Sequence, residues 1–189
     1  MKTPRLFWLG LLVVCAPSVP AGESAMSTEA LIEAKQRVVQ HMALNPVLLR
    51  AVRRQNAEAL SPDARKAREA EWGTDATDSP LKRAVEGTAA GQVLKGQVDR
   101  DPVLIQATLT DAAGDTVAVF PAKGAYFHGD DETWIEAYND GAGRVVAHAP
   151  KSDDGGSATV KIAAPVLEQG KTIGVLVVAA AVGPADTGR

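Results

Sequence analysis

Cysteine is all but absent from this chain. Cys15 is the single one among 189 residues, and it lies in an apolar N-terminal run, Leu6 to Ala16. Lys2 and Arg5 precede that run, and the small-residue stretch Val19-Pro20-Ala21 follows it. This is the three-part pattern of a secretory signal peptide, cleaved before Gly22. The run is too short to anchor the chain across a bilayer. Val14, before Cys15, is not the small residue that a lipoprotein signal wants. With residues 1–21 removed, no thiol remains. Disulfides, thiolate nucleophiles and thiolate metal ligands are then excluded. The expected location is the periplasm or the outside of the cell.

Long hydrophobic runs are scarce as well. Beyond the leader, only Thr172 to Val182 is strongly apolar, and it too is short of a membrane span. The mature chain is therefore expected to be soluble, with no attached output domain. A surplus of positive charge is also lacking. Removing Lys2 and Arg5 leaves 18 basic against 23 acidic residues, and no basic patch invites nucleic acid. Histidine occurs three times, at 41, 128 and 148, with no zinc-site spacing. There is no nucleophile elbow, phosphate loop or dinucleotide fingerprint. Asp130, Asp131 and Glu132 stand in a row, without the alternating spacing of a calcium loop. These absences argue for a protein that is not an enzyme and holds no cofactor or metal.

What is present is organised. Leu31, Val38 and Met42, widened by Ile32 and Val39, make an apolar helical stripe over Thr28 to Leu44. That stripe either packs on the rest of the fold or pairs with a second copy. Asn45-Pro46 and Ser61-Pro62 are cap-then-proline signals that open two further helices. The first runs to about Ala59 and the second stops at Gly73. After the polar linker Thr74 to Ser79, residues Leu81 to Val98 read as one more helix. From Pro102 onward the period becomes two. Val103, Ile105, Ala107 and Leu109 alternate as the buried face of a strand. Thr116 to Phe120, Gly143 to Ala149, Ser157 to Val166 and Ile173 to Ala181 supply four more, the last apolar on both faces and so central. Helices grouped before hairpin-linked strands imply an α+β domain. Residues 22–100 form its helical part and 101–183 its sheet, with a tail at 184–189.

Aromatics are few, eight in all, yet four of them fall in GAYFHGDDETWIEAY, Gly124 to Tyr138. Two readings fit. In the first, Asp130 caps a helix from Asp131 to Tyr138. Asp131 and Glu132 then favour its dipole, and Trp134 and Tyr138 share a face that covers the sheet. In the second, loop and helix roof a small-ligand pocket. Tyr126, Trp134 and Tyr138 are its walls, with His128 beside them. Asp130 or Asp131 holds a cationic or hydroxylated group, and Arg144, Lys123 or Lys161 holds a carboxylate.

Four stretches resemble the Cache (PDC) family of extracellular PAS-like sensor domains. They are NPVLLRAVRRQNAE (45–58), LTDAAGDTVAVF (109–120), AYFHGDDETWIEAY (125–138) and VKIAAPVLEQGKTIGVLVV (160–178). The resemblance covers roughly residues 28 to 182. It implies a five-stranded antiparallel sheet with a ligand pocket on its distal face. It also implies that Tyr126, Asp130, Glu132 and Trp134 lie at the pocket-lining loop and helix. Asp153 or Asp154 would fall near a turn aspartate that faces the pocket. Phe127-His128 and the short SDDGG turn depart from the family's pattern. The implied function is an exported sensor of a small molecule of the amino acid, amine or carboxylate class. It would signal through a separate membrane receptor or kinase partner, and the N-terminal helix would be available for a homodimer. The alternative is a structural or interaction protein that keeps the fold and binds no ligand.

Overall fold

The computed structural model of the chain describes residues 27–73, 79–151 and 158–182. The expected leader, most of the expected linker, the candidate residues Asp153 and Asp154, and the expected tail lie outside the described residues. Five helices come first: α1 (Thr28–Ala43), α2 (Pro46–Glu58), α3 (Pro62–Trp72), α4 (Pro80–Glu86) and α5 (Ala89–Arg100). Strands β1 (Leu104–Asp111) and β2 (Thr116–Phe120) follow, then α6 (Glu132–Tyr138), β3 (Val146–Ala147), β4 (Ala158–Glu168) and β5 (Lys171–Val182). The strands form one antiparallel sheet in the order β2-β1-β5-β4-β3. This is the α+β, PAS-like arrangement expected, with the apolar β5 near its centre.

Local chemistry sets the helix starts. The side chains of Ser27, Asn45 and Ser61 accept backbone N–H bonds at the heads of α1, α2 and α3. The single helix expected over 81–98 is two helices. Thr88 Oγ1 accepts from Gly91 N at 3.0 Å while donating to Val85 O at 2.8 Å, so one residue closes α4 and opens α5. Gly91 is required there, because a Cβ would sit 2.3 Å from the Glu86 carbonyl oxygen.

The sheet buries both faces. Val39 and Met42 of α1, Leu48 and Val52 of α2, and Leu94 of α5 pack on Leu109, Ile162, Leu176 and Val178. On this side α1 turns its apolar stripe to the sheet, leaving Val38 and Leu44 exposed. The strand expected to bury Val103, Ile105, Ala107 and Leu109 on one face does so only for its second half. The β1–β5 register shifts between Leu104 and Gln106. That bulge puts Leu104 into the core and leaves Ile105 exposed.

The other face carries α6. Trp134 and Ala137 pack there on Val146, Ala163 and Val175. The third strand, expected over 143–149, has only two residues. Gly143 N and Arg144 N instead donate to Tyr138 O and Ala137 O and close the end of α6. Beyond the β2 edge, Trp72 of α3 packs with Val119 and Tyr126.

Candidate functional site

The loop between β2 and α6 is tied down before it reaches the sheet face. Asp111 Oδ1 accepts from Ala113 N and Asp115 N, both at 2.9 Å, and shapes the β1–β2 turn. Gly114 (φ +90°) lies so close to Gly129 that a Cβ would come within 2.4 Å of its nitrogen. Thr116 N and Oγ1 both donate to Tyr126 O, and His128 N donates to Gly114 O. These bonds fix the course of Tyr126-Phe127-His128 and explain the crowded aromatics. Phe127 lies under the Arg65 guanidinium, 4.6 Å from its carbon. Arg65 in turn grips the buried Asp115 with two bonds of 2.6 and 2.9 Å.

Tyr126 does not reach the distal sheet concavity described below. It is buried against Trp72, with ring centroids 5.5 Å apart, and its hydroxyl accepts from Arg68 at 3.1 Å. Burial pushes its pKa up, against the Arg68 bond. The cap of α6 is Asp131, one residue later than the Asp130 expected. Asp131 Oδ1 accepts from Thr133 N at 2.8 Å. Its other oxygen, Oδ2, accepts from Lys161 Nζ of β4, also at 2.8 Å. Burial works to raise the Asp131 pKa, but the Lys161 hydrogen bond and charge overrule it and hold it below the usual carboxylate range. Asp130 is exposed.

Between α6, this loop and the sheet lies a cavity of about 280 Å³. Thr108 of β1 and Val177 and Ala179 of β5 form its floor, Trp134 a wall, and Lys123, His128, Asp131 and Lys161 its polar groups, with Gln106 at one end. Trp134 is held upright from below. Its Nε1 donates to Thr110 Oγ1 at 2.8 Å, and Thr110 donates onward to Val175 O. Tyr138 stacks on the Trp134 ring at 4.8 Å and 9°, and so supports the wall without lining the cavity. His128 Nε2 is buried without a hydrogen-bond partner. Burial drives the His128 pKa down, so the ring is neutral near pH 7.

Of the residues singled out in the sequence, the cavity brings together His128, Asp131 and Trp134, with Lys123 and Lys161. Arg144 instead pairs with Glu136 at 2.5 Å on the outer side of α6. Glu132 borders a separate cavity beyond Asp131. Sequence reasoning missed Gln106, Thr108, Val177 and Ala179. Their signal was the strand parity: a doubly apolar β5 must present one face to something other than the helices.

No family model matches the chain. No curated protein matches it. Solved structures do. One is the ligand-binding domain of the Pseudomonas aeruginosa PAO1 amino acid chemoreceptor PctC, in complex with GABA. It is 16% identical over 80% of this chain and 53% of that chain, with a TM-score of 0.44. Another is the ligand-binding domain of the Pseudomonas fluorescens chemoreceptor CtaA with L-valine, 15% identical over 79% of this chain and 62% of that one, TM-score 0.37. A third is the sensor domain of the V. cholerae histidine kinase DctB, 15% identical over 81% and 57%, TM-score 0.37. The chain thus spans between 53% and 62% of these three chains. These three neighbours are ligand-binding or sensor domains of two chemoreceptors and a histidine kinase. No helix among the described residues is long and apolar enough to cross a membrane.

Proposed function

We propose that this chain is an exported, non-enzymatic sensor domain that binds a small metabolite in the cavity beneath α6. It passes its state to a separate membrane receptor or kinase. The observation that carries this reading is the cavity itself: an indole wall, an apolar floor, and charged groups of both signs converging on one space. A volume of about 280 Å³ sits at the lower edge of the range for ligand sites, roughly 300–1,000 Å³. It suits an amino acid, a small amine or a small carboxylate. Lys161 and Lys123 supply ammonium donors for a carboxylate, and Asp131 Oδ2 faces a cation already. His128 Nε2 is buried without a partner, while the ring is held by a hydrogen bond to the Ala125 backbone, so the free nitrogen is the one left for a ligand. In this reading residues 22–100 are scaffold and 101–183 the sensing sheet. The exposed Val38 of α1 and Leu44 just after it are where a second copy would pair. A Leu44→Glu variant would then lower the mass seen in sedimentation.

A thermal-shift screen with amino acids, small carboxylates and amines tests the reading. A positive compound should lose its shift in Lys161→Ala and Trp134→Ala. No shift with any compound would sink it, and so would a shift that Trp134→Ala leaves unchanged.

A further inference from the structure

The Asp131–Lys161 ion pair has a second cavity on its far side. This one is also about 280 Å³ and lies between the N-terminal end of α6 and the outer strands β3 and β4. Asp131 and Lys161 border both cavities; Glu132, His148, Lys151 and Thr159 border only this one. The backbone holds its walls in place. His148 N donates to Lys161 O at 3.1 Å, and Lys151 and Thr159 exchange two backbone bonds of 2.8 Å.

The groups here are unequal in what they have left to offer. Both Asp131 oxygens are engaged, one by Thr133 N and one by Lys161. Glu132 is exposed, in the first turn of α6. The donors have more to give. Lys161 has spent one of its ammonium hydrogens on Asp131, leaving two. Lys151 makes no ion pair with a described residue. Thr159 brings a hydroxyl. The His148 Nε2 is buried without a partner. A buried polar nitrogen left unpaired calls for a reason, and an occupant of the adjoining space supplies one.

We propose that this second cavity is a binding subsite for a small carboxylate, held by Lys151, Lys161, Thr159 and His148. It does not depend on the first cavity being occupied. Because Lys161 borders both, an anion here competes with Asp131 for that ammonium and links the two cavities.

The chain has three histidines, so imidazole nitrogen NMR can resolve each ring. The probe is sodium acetate, titrated at constant ionic strength against sodium chloride. The expected result is a saturable shift of the His148 ring nitrogens, with His41 unmoved. Lys151→Ala should weaken the titration about tenfold, since it removes a charge-assisted contact. Thr159→Val should weaken it less, and His128→Gln, in the first cavity, should leave it intact. No saturable response at His148, a response confined to His128, or an unchanged titration in Lys151→Ala would each overturn the proposal. A metabolite screen that fails at the first cavity leaves this titration still decisive, so the two readings stand or fall separately.

Discussion

Asp131 serves fold and cavity with different oxygens, and substitutions can separate the two. Asp131→Asn keeps the Oδ1 acceptor for Thr133 N and loses the charge that holds Lys161. The pair is half-exposed on the lysine side, so its loss should cost no more than about 1 kcal/mol. Asp131→Ala also removes the cap, adding about 1 kcal/mol in urea denaturation. Arg65 is a different case. Asp115 is almost fully buried, and Arg65 is its bidentate partner. Arg65→Ala strands a buried carboxylate and should cost about 3–5 kcal/mol by the same measurement. His128 gives the fold an acid sensitivity. Its native pKa lies below the unfolded value because burial disfavours the charged ring. The unfolded chain therefore binds the proton more readily, and stability falls as pH drops below about 6.5. Asp131, held low by Lys161, adds a loss at still lower pH, as its carboxylate is protonated. Urea midpoints at pH 7 and pH 5 should converge in His128→Gln relative to the parent protein.

At the scale of elements, the breaks matter as much as the runs. Thr88 separates α4 from α5, and Thr88→Ala should cost about 1 kcal/mol. Gly174 of β5 lies under Thr110 of β1. A Cβ there would come within 2.2 Å of the Thr110 carbonyl oxygen and 2.9 Å of Val52. Gly174→Ala would push β1 from β5 and α2 from the sheet, with an expected loss of about 1–3 kcal/mol or more. The same displacement would disturb Thr110, which holds the Trp134 indole, so the cavity wall should loosen with it. The turn between β4 and β5 is more local. Gln169 (φ 50°) and Gly170 (φ 81°) take the two left-handed positions of a type I′ hairpin.

For the whole molecule, α1, α2 and α5 pack on one face of the sheet, and α6 and the candidate site lie on the other. In the proposed function a ligand beneath α6 would bind only the folded chain. At 100 times its dissociation constant it should therefore add about 2.7 kcal/mol of stability. The Asn45 and Ser61 caps, the proline starts and the doubly apolar β5 were legible in the sequence because each is a short-range chemical preference. So were the α+β class and Trp134 as a candidate wall. The bulge at Ile105 was not legible, since it shows only when β1 is paired with β5. Tyr126 was placed at the ligand by its neighbours in sequence. Its true surroundings, Arg68 and Trp72, come from α3, more than fifty residues earlier. Gln106, Thr108, Val177 and Ala179 join the cavity because pairing β1 to β5 sets their side chains on one face. Asp131 and Lys161 meet from elements thirty residues apart. Local propensity and periodicity determined which segments are helix, strand and turn. Only the packing of distant segments could decide which side chains share a space, because contact across a sheet is not written in the spacing of any one stretch.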